Sequence, residues 1–236
     1  MNRIRSLALL VLPAALALTP VLASAQASAA TSTSSILTAA KAALAHQHGV
    51  HLAVSVVQGS TTTIEEADLG TSTGVESLIS GTAKATVVVA PGFGYMSGDS
   101  SGLTALIGLT AAEAKKLGTK WMSLKAGTTP YSDLKTTATL PAVEGLLPGL
   151  KGTTSSTETV GNTKLYVLKW TTAATSSSPK LTNVLSISMG KTSLPVKEVM
   201  TDTTASETTE FSKWGERVLV HAPPAAKTVP YSSIVS

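Results

Sequence analysis

The sequence predicts an α+β protein built on one continuous, curved antiparallel sheet. Three observations lead there. Strand-length segments with a period of two follow one another closely, separated by Gly and Ser/Thr turns. A Leu-rich helical insert divides these segments into two meanders. Charged residues make up only 14% and aromatics 4% of the chain, so its burial is aliphatic. Strands linked by turns rather than by crossover helices speak against β-α-β units.

Residues 1–27 carry Arg3 and Arg5, an apolar run from Leu7 to Leu22, and the small residues Ala23, Ser24, Ala25 and Ala27. That order is the one a secretory signal peptide has, with cleavage expected after Ala25 or Ala27. Pro13 and Pro20 argue against a membrane anchor. The remainder, residues 28–236, is expected to form a single domain, secreted or held in the cell envelope. The chain has 18 Lys+Arg and 14 Asp+Glu, so losing Arg3 and Arg5 leaves 16 against 14, a net charge of +2. No basic stripe with interleaved aromatics is present, which excludes nucleic acid as the expected partner. There is no cysteine, hence no disulfide framework, no thiol chemistry and no lipid anchor on a cysteine.

The elements are expected in this order. Residues 36–46 place Ile36, Leu37, Ala40, Ala43 and Leu44 on one helical face, capped by Thr33 or Ser34 and stopped by Gly49. Residues 50–57 alternate cleanly, with Val50, Leu52, Val54 and Val56 sharing a face. Strands at 62–69, 74–81, 84–90 and 93–97 follow, the third of these with Ala85, Val87 and Val89 on one side. Short helices are predicted at 101–108 and 111–117, the second opened by a capping box of Thr110 and Glu113. A strand at 120–125, a turn at 128–133 built on Pro130, and a helix at 139–147 ended by Pro148-Gly149 come next. A hairpin at 153–160 and 164–172 turns around Gly161-Asn162. Strands at 184–189, 195–202, 206–213 and 217–220 complete the second meander, and the tail 229–235 is expected to pack back on the body.

Two motifs raise the question of chemistry. Gly98-Asp99-Ser100-Ser101-Gly102 fits the G-x-S-x-G frame of a hydrolase nucleophile, with Asp202 and His221 following in a suitable order. That elbow belongs to a parallel sheet with crossover helices, whereas this one lies in a meander. The favoured reading is that Asp99, Ser100 or Ser101 starts a helix, and that the chain is not an enzyme. His46, His48 and His51 gather three of the four histidines into six residues. Their spacing sends His46 and His48 to different sides of a helix and His51 onto the polar face of a strand, so no metal site is assigned. Glu65, Glu66 and Asp68, and the pair Lys115 and Lys116, are read as solvated charges. Trp121, Trp170 and Trp214 are read as half-buried packing. No cofactor motif is present.

Several segments taken in order resemble the actinobacterial LppX/LprG-type proteins, which share a half-barrel with the LolA/LolB carriers. The residues that carry the resemblance are GYMSGD (94–99), GLTAAEAKKLGTKWMSL (108–124), PYSDL (130–134), SLPVKEV (193–199) and FSKWGERVLVHAPPA (211–225). It implies a strongly curved antiparallel sheet, a half-barrel, with helices covering the concave face over an apolar cavity for acyl chains. The departure is the missing lipobox cysteine, which removes the membrane tether.

The expected function is therefore non-catalytic binding or transport of a lipid or other long apolar ligand, with transient contact to the envelope or a membrane. The expected cavity walls are Val54, Val56, Val87 and Val89 from the sheet, with Leu103, Leu106, Ile107, Val143, Leu146 and Leu147 from the helices. A monomer is favoured. The alternatives are an envelope structural or protein-interaction module with a filled core and, less favoured, a serine hydrolase using Ser100.

Overall fold

A computed structural model describes residues 31–174 and 179–235; the expected leader at 1–27 lies outside the described residues. Helix α1 (Thr33–Leu44) is capped by Ser32, whose hydroxyl accepts from the Ser35 amide at 3.1 Å, one position before the expected cap. Its buried residues Ile36, Leu37, Ala40 and Leu44 form a single stripe. Gly49 does not stop this helix. It opens strand β1 (Gly49–Gln58), where a Cβ would overlap the Glu216 carbonyl oxygen. Close backbone approach, rather than a left-handed turn, explains that glycine.

Strands β1, β2 (Thr61–Gly70), β3 (Gly74–Ser80), β4 (Ala83–Ala90) and β5 (Phe93–Gly98) form the first meander by successive antiparallel pairing. The insert contains α2 (Ser100–Ala105) and α3 (Ala111–Leu117), then strand β6 (Trp121–Lys125). Helix α3 has the expected capping box: the Glu113 amide donates to the Thr110 hydroxyl, and the Thr110 amide to the Glu113 carboxylate.

Two expectations for this region need correction. Residues 128–133 are not a turn but open α4 (Thr129–Thr137), with Pro130 in the first turn, where its missing N–H leaves no bond unmade. The helix expected at 139–147 is reduced to α5 (Pro141–Glu144). Gly145 and Pro148 prevent regular extension.

The second half contains β7 (Thr154–Val160), β8 (Thr163–Thr172), β9 (Leu181–Ser188), β10 (Pro195–Thr201) and β11 (Ala205–Ser212). Gly161 turns the β7–β8 hairpin with φ of 59°. Residues 217–220 are not a strand. This run crosses the ends of β1–β3 irregularly, and the Thr73 hydroxyl donates to the Val218 carbonyl at 3.0 Å. The tail does pack back, as a short strand β12 (Thr228–Pro230) running parallel to β6.

One sheet contains all twelve strands in the order β12-β6-β5-β4-β3-β2-β1-β11-β10-β9-β8-β7. The two meanders are fused where β1 pairs with β11, with Leu52 opposite Phe211 and Val54 opposite Thr209. The fold is α+β as expected. The sheet is open, with β12 and β7 at its edges, and it is mixed rather than wholly antiparallel because of β12.

The helices pack on one face, here called the inner face, in two apolar clusters. In one, α1 and Val143 of α5 meet Val50, Leu52, Leu69, Leu185 and Phe211. In the other, α2, α3 and α4 meet Leu78, Val87, Val89, Met122 and Leu124. Leu78, Leu103, Leu168, Leu185 and Ile187 are wholly buried, each contributing roughly 1.5–3 kcal/mol of transfer free energy. On the opposite, outer face, Val88, Ala90 and Tyr95 pack with Val220 of the irregular run.

The helical cover is pinned to the sheet where β2 turns into β3. The Leu140 amide donates to the Gly70 carbonyl at 2.8 Å, and the Ala138 carbonyl lies where a Cβ of Gly74 would stand. Gly74→Ala is therefore expected to lower stability by about 1–3 kcal/mol, read as a reduced urea midpoint with an unchanged slope.

Candidate functional site

The inner face of the sheet is the surface on which a ligand site has to be sought, because strand register decides which side chains share it. Residues opposite one another in a ladder point to the same side. From Val54 this gives one row across the sheet: Ala85, Leu78, Glu65, Val54, Thr209, Glu198, Leu185 and Leu168. The neighbouring row holds Ser80, Thr63, Val56, Glu207, Met200, Asn183 and Trp170. The row on the other side starts with Val87, Glu76, Ala67, Leu52 and Phe211.

Four carboxylates thus fall on the inner face, and all four are driven toward their neutral form. Burial, reinforced by Glu207, pushes Glu65 up to about 7. Burial and the charge of Glu65 push Glu76 up to about 8. Burial and Glu207 push Glu198 up to about 7, and burial also raises Glu207. A carboxylate stripped of water favours its protonated form, and a second carboxylate nearby adds to that preference.

Among the described residues no lysine or arginine forms an ion pair with any of the four; the ion pairs present are Lys197–Glu210 and two from His51. Glu198 is 2% exposed, and its Oε2 has no hydrogen-bond partner in the protein. Glu65, half-buried on this face and partly desolvated, is not the freely solvated charge expected. Glu66 and Asp68, on the outer face, do remain partly exposed. The available signal was the alternation in β2, which puts Glu65 on the side of Ala67 and Leu69. For Glu76 the pattern is ambiguous, since β3 carries apolar residues on both faces.

All ten expected wall residues face the helix-covered side, and the structure divides them. Val54 and Val143 are buried in the cluster under α1, with Val56, Leu146 and Leu147 packed against it. Val87, Val89, Leu103 and Leu106 are buried in the cluster under α2 and α3, with Ile107 packed against it. Glu65 and Glu76 lie between the two groups, while Glu198 and Glu207 lie between the β1 and β9 residues of the first. A small inner-face pocket of about 10 Å³ opens beside them at the β10–β11 turn, lined by Val56, Leu181, Met200, Asp202, Ala205 and Glu207. A larger cleft of about 620 Å³ lies elsewhere, between His48, residues 70–73, Pro91 and residues 217–220. Its walls are mixed polar and apolar, unlike the expected acyl-chain cavity.

The histidines disperse. His48 lines that cleft, while His51 sits on the outer face with Nδ1 2.7 Å from Asp68 Oδ1 and Nε2 3.0 Å from Glu66 Oε2. Among the described residues, no three His, Cys, Asp or Glu side chains are grouped to hold a metal ion. No helix among them is long and apolar enough to cross a membrane. The three tryptophans are half-buried as expected, and Trp214 Nε1 donates to the Pro195 carbonyl at 2.9 Å.

The Gly98–Gly102 motif has a structural explanation. Asp99 caps α2 by accepting from the Gly102 amide at 2.7 Å, and its other oxygen accepts from the Lys84 amide at 3.0 Å. The Asp99 amide returns a bond to the Lys84 carbonyl at 3.0 Å. A Cβ at either Gly98 or Gly102 would collide with that carbonyl. The two glycines are thus required by contact with β4, and Ser100 is an exposed first-turn residue.

Comparison with known proteins yields no matching protein-family model and no matching curated sequence. Among solved structures, the chain is similar to two mycobacterial proteins. One is the lipoprotein LppX of Mycobacterium tuberculosis, at 15% identity and a TM-score of 0.49, covering 80% of this chain and 100% of that one. The other is LprF from Mycobacterium bovis, at 15% identity and 0.48, covering 80% of this chain and 95% of that one.

Two outcomes follow from the site geometry. Asp99→Ala should cost about 0.5–2 kcal/mol as a lost cap, while Ser100→Ala should stay within about 0.5 kcal/mol, and a fluorophosphonate probe is expected to label neither the parent nor Ser100→Ala. Glu65, Glu76 and Glu198 are raised from 4.5 to about 7, 8 and 7 on folding, and burial raises Glu207 as well. Their protonated form supports the fold fully below 4.5, and that support is lost as pH rises through the folded values. The urea midpoint should accordingly fall from mildly acidic to mildly alkaline pH, and Glu198→Gln should flatten the decline.

Proposed function

We propose that this protein is a secreted, non-catalytic carrier or sensor that binds a lipid or another long apolar ligand between its sheet and its helices. The observation that carries this reading is the inner face itself. One twelve-stranded sheet presents apolar residues on both sides of an acidic middle, and only short helices cover it. Such a cover, α2 through α5, offers few hydrogen-bonded turns to hold it shut, so separating it from the sheet exposes smooth aliphatic walls suited to a flexible chain. Secretion rests on the leader at 1–27, and the absence of cysteine favours a carrier without a lipid tether.

A second reading is favoured by a different observation. Val57, Ile64 and Ile79 are exposed together on the outer face, with Ile64 directly opposite Ile79, while the inner pocket is small. A filled interior with an outer apolar patch is what a protein-interaction module of the envelope would present.

Native mass spectrometry before and after organic extraction separates the two. Co-purified lipid, and displacement of an uncharged fluorescent lipid probe with saturable stoichiometry, are expected for a carrier. Absence of both, together with partner capture that Ile64→Ser abolishes, would establish the module instead.

A further inference from the structure

We propose that the inner face selects an amphiphile carrying a basic nitrogen, with the nitrogen held between the carboxylates of Glu198 and Glu207 and the chain against Val56, Leu181 and Met200. The inference rests on the carrier reading above and names the ligand class for the same face.

The placement comes from the ladders. Glu65 and Glu198 share a row with Val54 and Thr209 between them, and Glu207 stands one row away beside Val56. Three strands of the first meander and two of the second are needed to assemble Glu76, Glu65, Glu207 and Glu198, so the group exists only in the folded sheet. Glu198 is almost fully buried and has an oxygen without a partner. A buried polar atom left unbonded is destabilising, and a donor arriving with a ligand would relieve it.

A second orphan lies at the same end of the groove. Asp202 spends Oδ1 on the Thr204 amide, the Thr204 hydroxyl and the Ala205 amide, whereas its Oδ2 is buried without a partner. Asp202 and Glu207 both line the small pocket that also contains Val56, Leu181 and Met200. This is an apolar throat with acceptors along it and no donor of positive charge. Methionine is the most adaptable of the core side chains, so Met200 is the wall suited to yield to an incoming chain.

The chemistry of the group narrows the ligand. No lysine or arginine among the described residues pairs with these carboxylates. Carboxylate and phosphate headgroups would add like charge in a desolvated space. A neutral headgroup would leave the acceptors without compensation for their charge. A protonated primary amine brings N–H donors and one positive charge, which the neighbouring carboxylates of Glu198 and Glu207, on adjacent strands, can accept. A metal ion fits less well, since no three ligating side chains among the described residues are grouped tightly enough to hold one.

The test uses three probes of equal chain length, hexadecylamine, hexadecanol and palmitate, titrated below their micellar range against an uncharged fluorescent lipid bound to the intact chain at about pH 8, where the amine is still protonated. The amine is expected to bind about tenfold or more tighter than the alcohol, with palmitate weakest, which corresponds to about 1.4 kcal/mol. In Glu198→Gln/Glu207→Gln the ratio of amine to alcohol affinity should collapse toward one. Glutamine is close in shape and removes buried charge, so this variant is expected to fold, which its urea midpoint verifies. Equal binding of all three probes, tighter binding of palmitate, or an amine preference that survives the double substitution would overturn the inference and leave the carrier reading standing. Binding of none of the three would overturn both.

Discussion

The pairing of β1 with β11 is the interaction on which the rest of this molecule depends. Each meander is locally organised, since its strands pair with their sequence neighbours through short turns. The β1–β11 ladder instead joins segments near opposite ends of the domain, with His51 opposite Ser212 and Gln58 opposite Ala205. Closing so long a loop is entropically costly and has to be repaid by contacts that form only afterward. Those contacts are visible in the cluster under α1, where Leu52 and Val54 of β1 meet Phe211 of β11 and Leu185 of β9. Without this ladder there would be two small sheets, each with an unpaired edge and half a core.

The same ladder creates the molecule's electrostatic peculiarity. Glu65 and Glu76 arrive on the first meander, Glu198 and Glu207 on the second, and the fused sheet brings them onto one face. A protein that only had to be stable would place apolar residues there, because unpaired buried carboxylates oppose folding whenever they ionise. Their retention on an otherwise aliphatic face is the kind of local conflict that the proposed ligand would resolve. Glu65 and Glu76 also divide the expected ligand wall, with Val54 on one side and Val87 on the other.

The Gly98–Gly102 segment illustrates how a motif changes meaning once its neighbours are known. In sequence it has the frame of a nucleophile turn. In the fold, Asp99 bonds both the start of α2 and the Lys84 backbone, and the glycines admit the Lys84 carbonyl. The spacing arises because a helix leaves the sheet while touching the preceding strand, which leaves no room for side chains at those two positions.

The sequence by itself determined the elements and their inward faces. Period-two alternation located β1 and β4 and oriented Val54 and Val87. The Thr110 and Glu113 pair located α3, and Gly161 located the β7–β8 turn. These signals are local, carried by residues within a turn or two of one another. Where local signals compete, the reading slipped: Pro130 suits either a turn or a helix start, and the run at 217–220 alternates like a strand although it crosses strand ends and joins no ladder. Tertiary structure alone decided that the meanders merge, that β12 adds in parallel, and that Glu65, Glu76, Glu198 and Glu207 share one desolvated surface. A carboxylate in a polar segment looks solvated until the strand beside it is known. Whether water reaches it depends on register between distant strands, which no short window of sequence contains.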